Sequence, residues 1–216
     1  MQITLEKIVP EPLAEVFNPQ SEVWNTTIRF EKGKNYLIYS PSGKGKSTFL
    51  HIIYGLRKDF QGNLLVTGKN SQQLSAEEWA NIRQNHFSIV FQDLRLFLHL
   101  TAWENLLIKA ALYAHTQEKE LQEQAEFLGV AHVLHKKAHT LSYGERQRIA
   151  IIRALIQPFE WLLLDEPFSH LDSANTEKAC KLIAEKTQKQ NASILMTSLG
   201  AEQSYFLNFD EKKLLG

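Results

Sequence analysis

The run Ser40-Pro-Ser-Gly-Lys-Gly-Lys-Ser-Thr48 follows an apolar, β-rich segment and opens a helix-like one, the setting in which a glycine-containing loop binds phosphate. Gly43 and Gly45 can adopt backbone conformations closed to other residues and so turn successive N–H groups inward as an anion nest. The helix start behind them adds partial positive charge. Lys46 then reaches the β and γ phosphates, and the Ser47 hydroxyl suits Mg²⁺, which prefers hard oxygen ligands. The expected nucleotide-binding set is Ser40, Pro41, Ser42, Gly43, Lys44, Gly45, Lys46, Ser47 and Thr48. Ser40 stands where the general phosphate-loop pattern has its first glycine, a departure that leaves the rest of the cradle intact.

A second chemical group ends the apolar run Trp161-Leu-Leu-Leu-Asp-Glu166. Asp165 falls at the carboxyl end of a buried strand, where α/β sheets bind ligands, and is expected to hold magnesium directly or through water. Glu166, one residue on, is placed to polarise an attacking water, the task phosphoryl transfer leaves to a positioned base. Two acids after a strand alone more often cap a helix or make a turn; the phosphate loop in the same chain favours the catalytic reading.

The elements that must position these groups read as follows. Strands are expected at Ile3 to Val9, Val23 to Phe30, Tyr36 to Tyr39, Leu64 to Thr67 and His86 to Phe91, with a helix from Lys46 to Leu56 and another opened by the capping box Ser75-x-x-Glu78. The first of these, within Met1 to Pro10, carries Glu6 and Lys7 in its apolar run and reads as an edge strand rather than a signal peptide. From Asp93 to about Thr140 strand signals vanish. Thr101-x-x-Glu104 opens one helix there, a second runs from Glu118 to Leu128, and Gly129 is placed to stop it. Strands return at Trp161 to Asp165 and Ser193 to Thr197, with helices before, between and after, the alternation of a wound, mainly parallel sheet. The expected division is therefore an α/β core of residues 1–92 and 141–216 with a helical insert at 93–140.

Composition narrows the class. Lys plus Arg and Asp plus Glu both number 24 in 216 residues, so there is no broad basic footprint for a nucleic-acid backbone. Cys180 is the sole cysteine, which excludes an intrachain disulfide and a Cys-rich zinc site and fits a reducing, cytoplasmic setting. The most apolar long window, Phe97 to Ala114, is interrupted by His99, Glu104, Asn105 and Lys109 and does not read as a membrane span. Action at a membrane thus calls for another chain as anchor.

Between the two chemical sites lies Leu141-Ser-Tyr-Gly-Glu145, running into Arg146-Gln-Arg-Ile-Ala-Ile-Ile-Arg-Ala-Leu155, and here the sequence resembles the ABC ATPases, the ATP-binding cassettes of ABC transporters. Gln92 in Val-Phe-Gln-Asp resembles the family's Q-loop glutamine, and Ser169-His-Leu-Asp172 its D-loop. The resemblance covers nearly the whole chain. It implies a P-loop NTPase with a RecA-like wound sheet, an N-terminal antiparallel β part and an inserted helical subdomain, working with ATP and Mg²⁺. It further implies that Lys46, Gln92 and Glu166 serve catalysis and that Ser47, Gln92 and Asp165 serve the metal. Two chains, identical or an asymmetric pair, are expected to sandwich ATP between the P-loop of one and the signature Leu141, Ser142, Tyr143, Gly144 and Glu145 of the other, with Asp172 in the D-loop. Closure is then passed to integral-membrane permease subunits at the inner face of the cell membrane, through the groove near Gln92. The run from Phe91 to Asn105 resembles the branch of lipoprotein-releasing, macrolide-efflux and cell-division ATPases.

Three features depart from the family pattern. Tyr143 takes the third signature position, commonly glycine. The aromatic expected to stack on adenine is Phe17 by spacing, with core packing the competing reading. No histidine follows the strand ending at Thr197: Ser198 or Leu199 stands where the family has its switch histidine. Hydrolysis is then slow, or rests on Glu166 alone, or is supplied by the other half of an asymmetric pair; the alternative is an ATP-gated clamp that does not hydrolyse. His132, His135 and His139 lack neighbouring Cys or carboxylate ligands and read as a solvated or packed face rather than zinc ligands. Trp79 and Trp103 read as core or partner-facing residues, and His170 as a turn or interface residue.

Overall fold

A computed structural model describes residues 1–15, 18–114, 116–201 and 206–216. Two sheets carry the fold. The first is antiparallel, in the order β2-β1-β4-β5, from β1 (Ile3–Pro10), β2 (Thr27–Phe30), β4 (Phe60–Val66) and β5 (Lys69–Asn70). The second is wholly parallel, in the order β6-β7-β8-β3-β9, from β3 (Tyr36–Tyr39), β6 (Phe87–Val90), β7 (Trp161–Asp165), β8 (Ser193–Ser198) and β9 (Glu211–Leu214).

β7 and β8 are buried along their whole length, as strands covered on both faces must be, which explains why they read as continuous apolar runs. Helix α1 (Lys46–Ile53) follows the phosphate loop and buries Phe49, Leu50, Ile52 and Ile53 in the core it shares with both sheets. Trp24 and Phe30 meet Phe49 edge-on, each at 5.9 Å between ring centres. Helices α5 (Tyr143–Leu155) and α6 (Ser173–Lys189) belong to the second core, with the other face of the parallel sheet.

Among the described residues between β6 and β7, only helices, 3-10 turns and one isolated bridge occur before α5. Helix α3 (Ala102–Ala110) starts at the capping box of Thr101 and Glu104, and α4 (Glu118–Phe127) is followed by Gly129 in the left-handed region, φ +67°. Their buried residues Leu106, Leu121 and Ala125 join Ile149 of α5 in one cluster, so the helical segment is seated on the signature helix. Helix α2 (Ala76–Asn85) has the expected capping box at Ser75 and Glu78; its Trp79 is buried, and Trp103 is partly buried against the helical cluster.

Three expectations are corrected. β1 is an interior strand, paired on both sides; the charges that suggested an edge sit at a bulge between Glu6 and Val9, where Lys7 has φ +51° and donates its N–H to Thr26 O. Residues Val23 to Thr26 are not strand, because the Ser21 hydroxyl accepts from the N–H groups of Val23 and Trp24 and bends the chain there. No helix occurs after β8 among the described residues. Instead β9 adds an edge strand beside β3, its Glu-Lys-Lys composition suited to an exposed edge.

Candidate nucleotide-binding site

The loop from β3 to α1 forms because Gly43 (φ +78°) and Gly45 (φ +91°) both take left-handed backbone that a side chain would strain. A Cβ on Gly43 would meet nothing within 4 Å, so the loop is open above it, whereas one on Gly45 would lie 2.5 Å from Leu13 Cδ1. Gly45 accepts the first helical hydrogen bond, from Phe49 N–H at 2.8 Å, and leaves the N-terminal donors of α1 facing the loop. A cavity of about 320 Å³ lies there, lined by Leu13, Ser42, Gly43, Gly45, Lys46, Ser47, Thr48, Gln92 and Glu166. Ser40 is buried beneath the loop, and its N–H donates to Ser198 O at 3.2 Å, tying the loop to the end of β8.

Lys46 is only 5 % exposed. Its ammonium donates to Ser40 O at 2.8 Å and Pro41 O at 2.9 Å and stands 3.3 Å from Glu166 Oε1, bracketed by the loop and the expected base. Glu166 itself has φ +45°, a strained conformation for a residue with a side chain, of the kind that clusters at functional sites. Two contacts hold it there. Its N–H donates to Thr197 Oγ1 at 3.3 Å, and its carbonyl accepts from Gln147 Nε2 at 3.4 Å.

Asp165 is 1 % exposed, and burial raises its carboxyl above the ordinary range against the pull of the Ser47 and Thr197 hydroxyls. Oδ1 accepts from Thr197 Oγ1 at 2.8 Å, while Oδ2 is buried without a hydrogen bond. Ser47 in turn donates to Gln92 Oε1 at 3.0 Å. An orphaned carboxylate oxygen beside a hydroxyl and an amide oxygen is a hard-oxygen set that fits Mg²⁺.

The signature residues lie at the start of α5 and do not line their own chain's cavity. Ser142 is the N-cap: its Oγ accepts from Glu145 N–H, and its N–H and hydroxyl both donate to Glu145 Oε2 at 2.8 Å. Burial opposes charge on Glu145, yet these donors from Ser142 hold its carboxyl below the usual range. Leu141 is buried behind them. Tyr143 takes up the space glycine would leave: its hydroxyl donates to Gln92 O at 2.7 Å and its ring packs against His170 at a tilt of 39°, 4.0 Å between centres. Asp172 caps α6, accepting from Asn175 N–H at 2.8 Å. Phe17 lies outside the described residues. His132 faces Glu145 at 3.5 Å, and among the described residues no group of His, Cys, Asp and Glu is arranged to hold a metal ion of its own.

Sequence reasoning missed Leu13, Thr197 and Gln147. Leu13 and Thr197 enter the site only through tertiary placement, Thr197 by its register opposite Asp165. Gln147 did leave a signal: it is a polar residue on the buried stripe of α5 that carries Ile151 and Ala154.

The chain is similar to known ATP-binding cassettes. The family model for ABC transporters matches residues 23–169. The molybdate/tungstate import ATP-binding protein WtpC of Pyrococcus horikoshii is 38% identical over 150 residues, 68% of this chain and 42% of that protein. The lipoprotein-releasing system ATP-binding protein LolD of Buchnera aphidicola is 34% identical over 175 residues, 80% of this chain and 76% of its own. The dimeric structure of MJ0796, a bacterial ABC transporter cassette, superposes with TM-score 0.80 at 26% identity, covering 99% of this chain and 95% of that one. A post-hydrolysis dimer of the same cassette, bound to ADP and Pi, gives TM-score 0.73 at 28% identity over 91% and 87%. The matched part of this chain thus spans under half of WtpC and about three quarters of LolD.

Proposed function

The chain belongs to the ABC transporter family as an ATP-binding cassette, and we propose that it is the ATP-hydrolysing motor subunit of a transporter complex. The observation that carries this reading is the single cavity in which the glycine cradle, Lys46, Ser47, Gln92 and Glu166 converge. The N–H groups of residues 42–48 bind the β and γ phosphates, and Lys46 turns its ammonium from the loop carbonyls and Glu166 toward them. Ser47, Gln92 and Asp165 would hold Mg²⁺, which when bound would supply charge neutralisation to the transferring phosphoryl group. Glu166 orients and deprotonates the attacking water, its backbone fixed by Thr197 and Gln147.

Two chains close on ATP, Ser142 and Gly144 of each facing the nucleotide of the other; this is supported by the exposed Ser142 at the head of α5 and by the dimeric MJ0796 relative. Residues 93–140 act as the helical subdomain that carries the motion. Permease subunits dock between it and the core, where Phe97, Ile108 and Leu112 are exposed around a cavity of about 250 Å³ that also holds Arg95, Lys109 and Arg153. Such subunits provide the attachment at the inner face of the cell membrane; no helix among the described residues is long and apolar enough to cross a membrane. The balanced charge, 24 basic against 24 acidic residues, gives no support to nucleic acid as a partner.

A second reading, an ATP-gated clamp or the degenerate half of an asymmetric pair, is favoured by the end of β8, where Ser198 or Leu199 stands in place of the histidine of the family pattern. Turnover of Mg-ATP, with ATP-dependent dimerisation recorded alongside, separates the two. A motor loses turnover in Lys46→Ala and accumulates ATP-bound dimers in Glu166→Gln. A clamp dimerises on ATP yet turns nothing over even with its membrane partner.

A further inference from the structure

Among the described residues, none of those lining the nucleotide cavity carries an imidazole. β8 ends at Ser198, paired to Tyr39 in the strand that leads into the phosphate loop; its hydroxyl is turned away to Gly200 O at 2.5 Å, and Leu199 is exposed. Yet an imidazole is held a few residues from Glu166, attached to the signature of its own chain. The turn after Glu166 presents His170 at the surface, and its ring lies on Tyr143 at 4.0 Å. The His170 carbonyl is packed so closely on Gly144 that a Cβ there would come within 3.0 Å of it. The His170 N–H donates to Gln147 Oε1 at 3.3 Å, and the Nε2 of the same glutamine donates to Glu166 O. His170, Tyr143 and Gly144 therefore move as one body, so whatever Gly144 faces, His170 faces beside it.

We propose that His170 is a catalytic residue acting across the dimer, donating an N–H to the transferring phosphoryl group in the other copy's site and replacing the histidine that β8 lacks. The inference rests on the two-chain sandwich above. In that sandwich the signature of one chain meets the γ-phosphate of the other, and the imidazole carried by that signature arrives with it. Ser169 Oγ lies 2.9 Å from Nδ1, a contact compatible with the tautomer in which the hydroxyl donates there and Nε2 carries the N–H that the proposal uses. Its tilted contact with Tyr143, 39° between ring planes, also gives the third signature position a purpose that glycine cannot serve, since it seats the imidazole before the chains meet.

The test is ATP turnover by pure and mixed dimers of the full chain. His170→Ala should dimerise on ATP as the wild type does but turn over about 10²-fold more slowly, the usual loss for one transition-state donor. Adding Ser198→His to His170→Ala should recover turnover, because Ser198 borders a cavity of about 360 Å³ beside Glu166 with room for the ring. In dimers of one Lys46→Ala chain with one His170→Ala chain, the only working P-loop faces an intact His170, so their rate should match that of wild type mixed with Lys46→Ala. An unchanged rate in His170→Ala, loss of its ATP-dependent dimerisation, or failure of the Ser198→His rescue overturns the assignment. A wild-type chain that never dimerises on ATP overturns the sandwich reading with it.

Discussion

The Tyr143 hydroxyl donates to the main-chain carbonyl of Gln92 at 2.7 Å, joining the head of α5 to the loop whose glutamine side chain accepts from Ser47. Tyr143 does not line the phosphate cavity. Tyr143→Phe keeps the ring on His170 and removes only this hydrogen bond, a net loss of about 1 kcal/mol or a few-fold in rate. The expected result in steady-state kinetics is a lower kcat with KM for ATP unchanged; a change confined to KM would contradict it.

Thr197 satisfies two neighbours with one hydroxyl, donating to Asp165 Oδ1 and accepting from Glu166 N–H. Thr197→Val keeps the shape and leaves Asp165, already short of a partner at Oδ2, without its remaining donor from β8. Urea unfolding should show a loss of about 1–3 kcal/mol, the usual penalty for stranding a buried polar group. If Asp165 holds the ion as proposed, saturating Mg-ATP should recover part of that loss by giving the carboxylate a new partner.

The two glycines of the phosphate loop should not respond equally to alanine. At Gly43 the new methyl enters open space and only the positive φ is strained; at Gly45 it also meets Leu13. Strain alone costs about 1 kcal/mol, so Gly43→Ala should be the milder change in both thermal stability and nucleotide affinity. Leu13→Ala should relieve part of the Gly45→Ala defect and none of the Gly43→Ala defect, which a double-mutant comparison by calorimetry reads directly.

Cys180, 2 % exposed, has its thiol pushed up to about 12 by burial. It therefore has almost no thiolate at pH 8, and iodoacetamide should not label the folded chain there. Labelling on the timescale of global unfolding, with one adduct per chain, is the expected mass-spectrometric result. Rapid labelling of the native protein would place α6 in a more open state.

Local chemistry was legible in the sequence wherever the cause was local. The phosphate loop, the capping boxes at Ser75 and Thr101, and the buried run of β7 all state their structure in adjacent residues, whereas the capping box at Ser142 emerged only from the structure. β1 was misread because its two partners come from residues 27–30 and 60–66, and a bulge carries the charges that suggested an exposed edge. β9 was invisible because Glu211, Lys212 and Lys213 have strand geometry only by pairing to β3. The same holds at the site. Lys46, Ser47 and Asp165 announce themselves by type and spacing, while Leu13 and Thr197 enter it through packing and strand register.

Glu166 holds a left-handed backbone that glycine would adopt without strain. Glu166→Gly should therefore relax that turn while removing the carboxylate that faces Lys46. Where that relief outweighs the lost contacts, selection for folding alone favours a silent cassette at this position. The strain at the end of β7 is thus a stability cost located at the candidate site itself, one that a single substitution to glycine would lift.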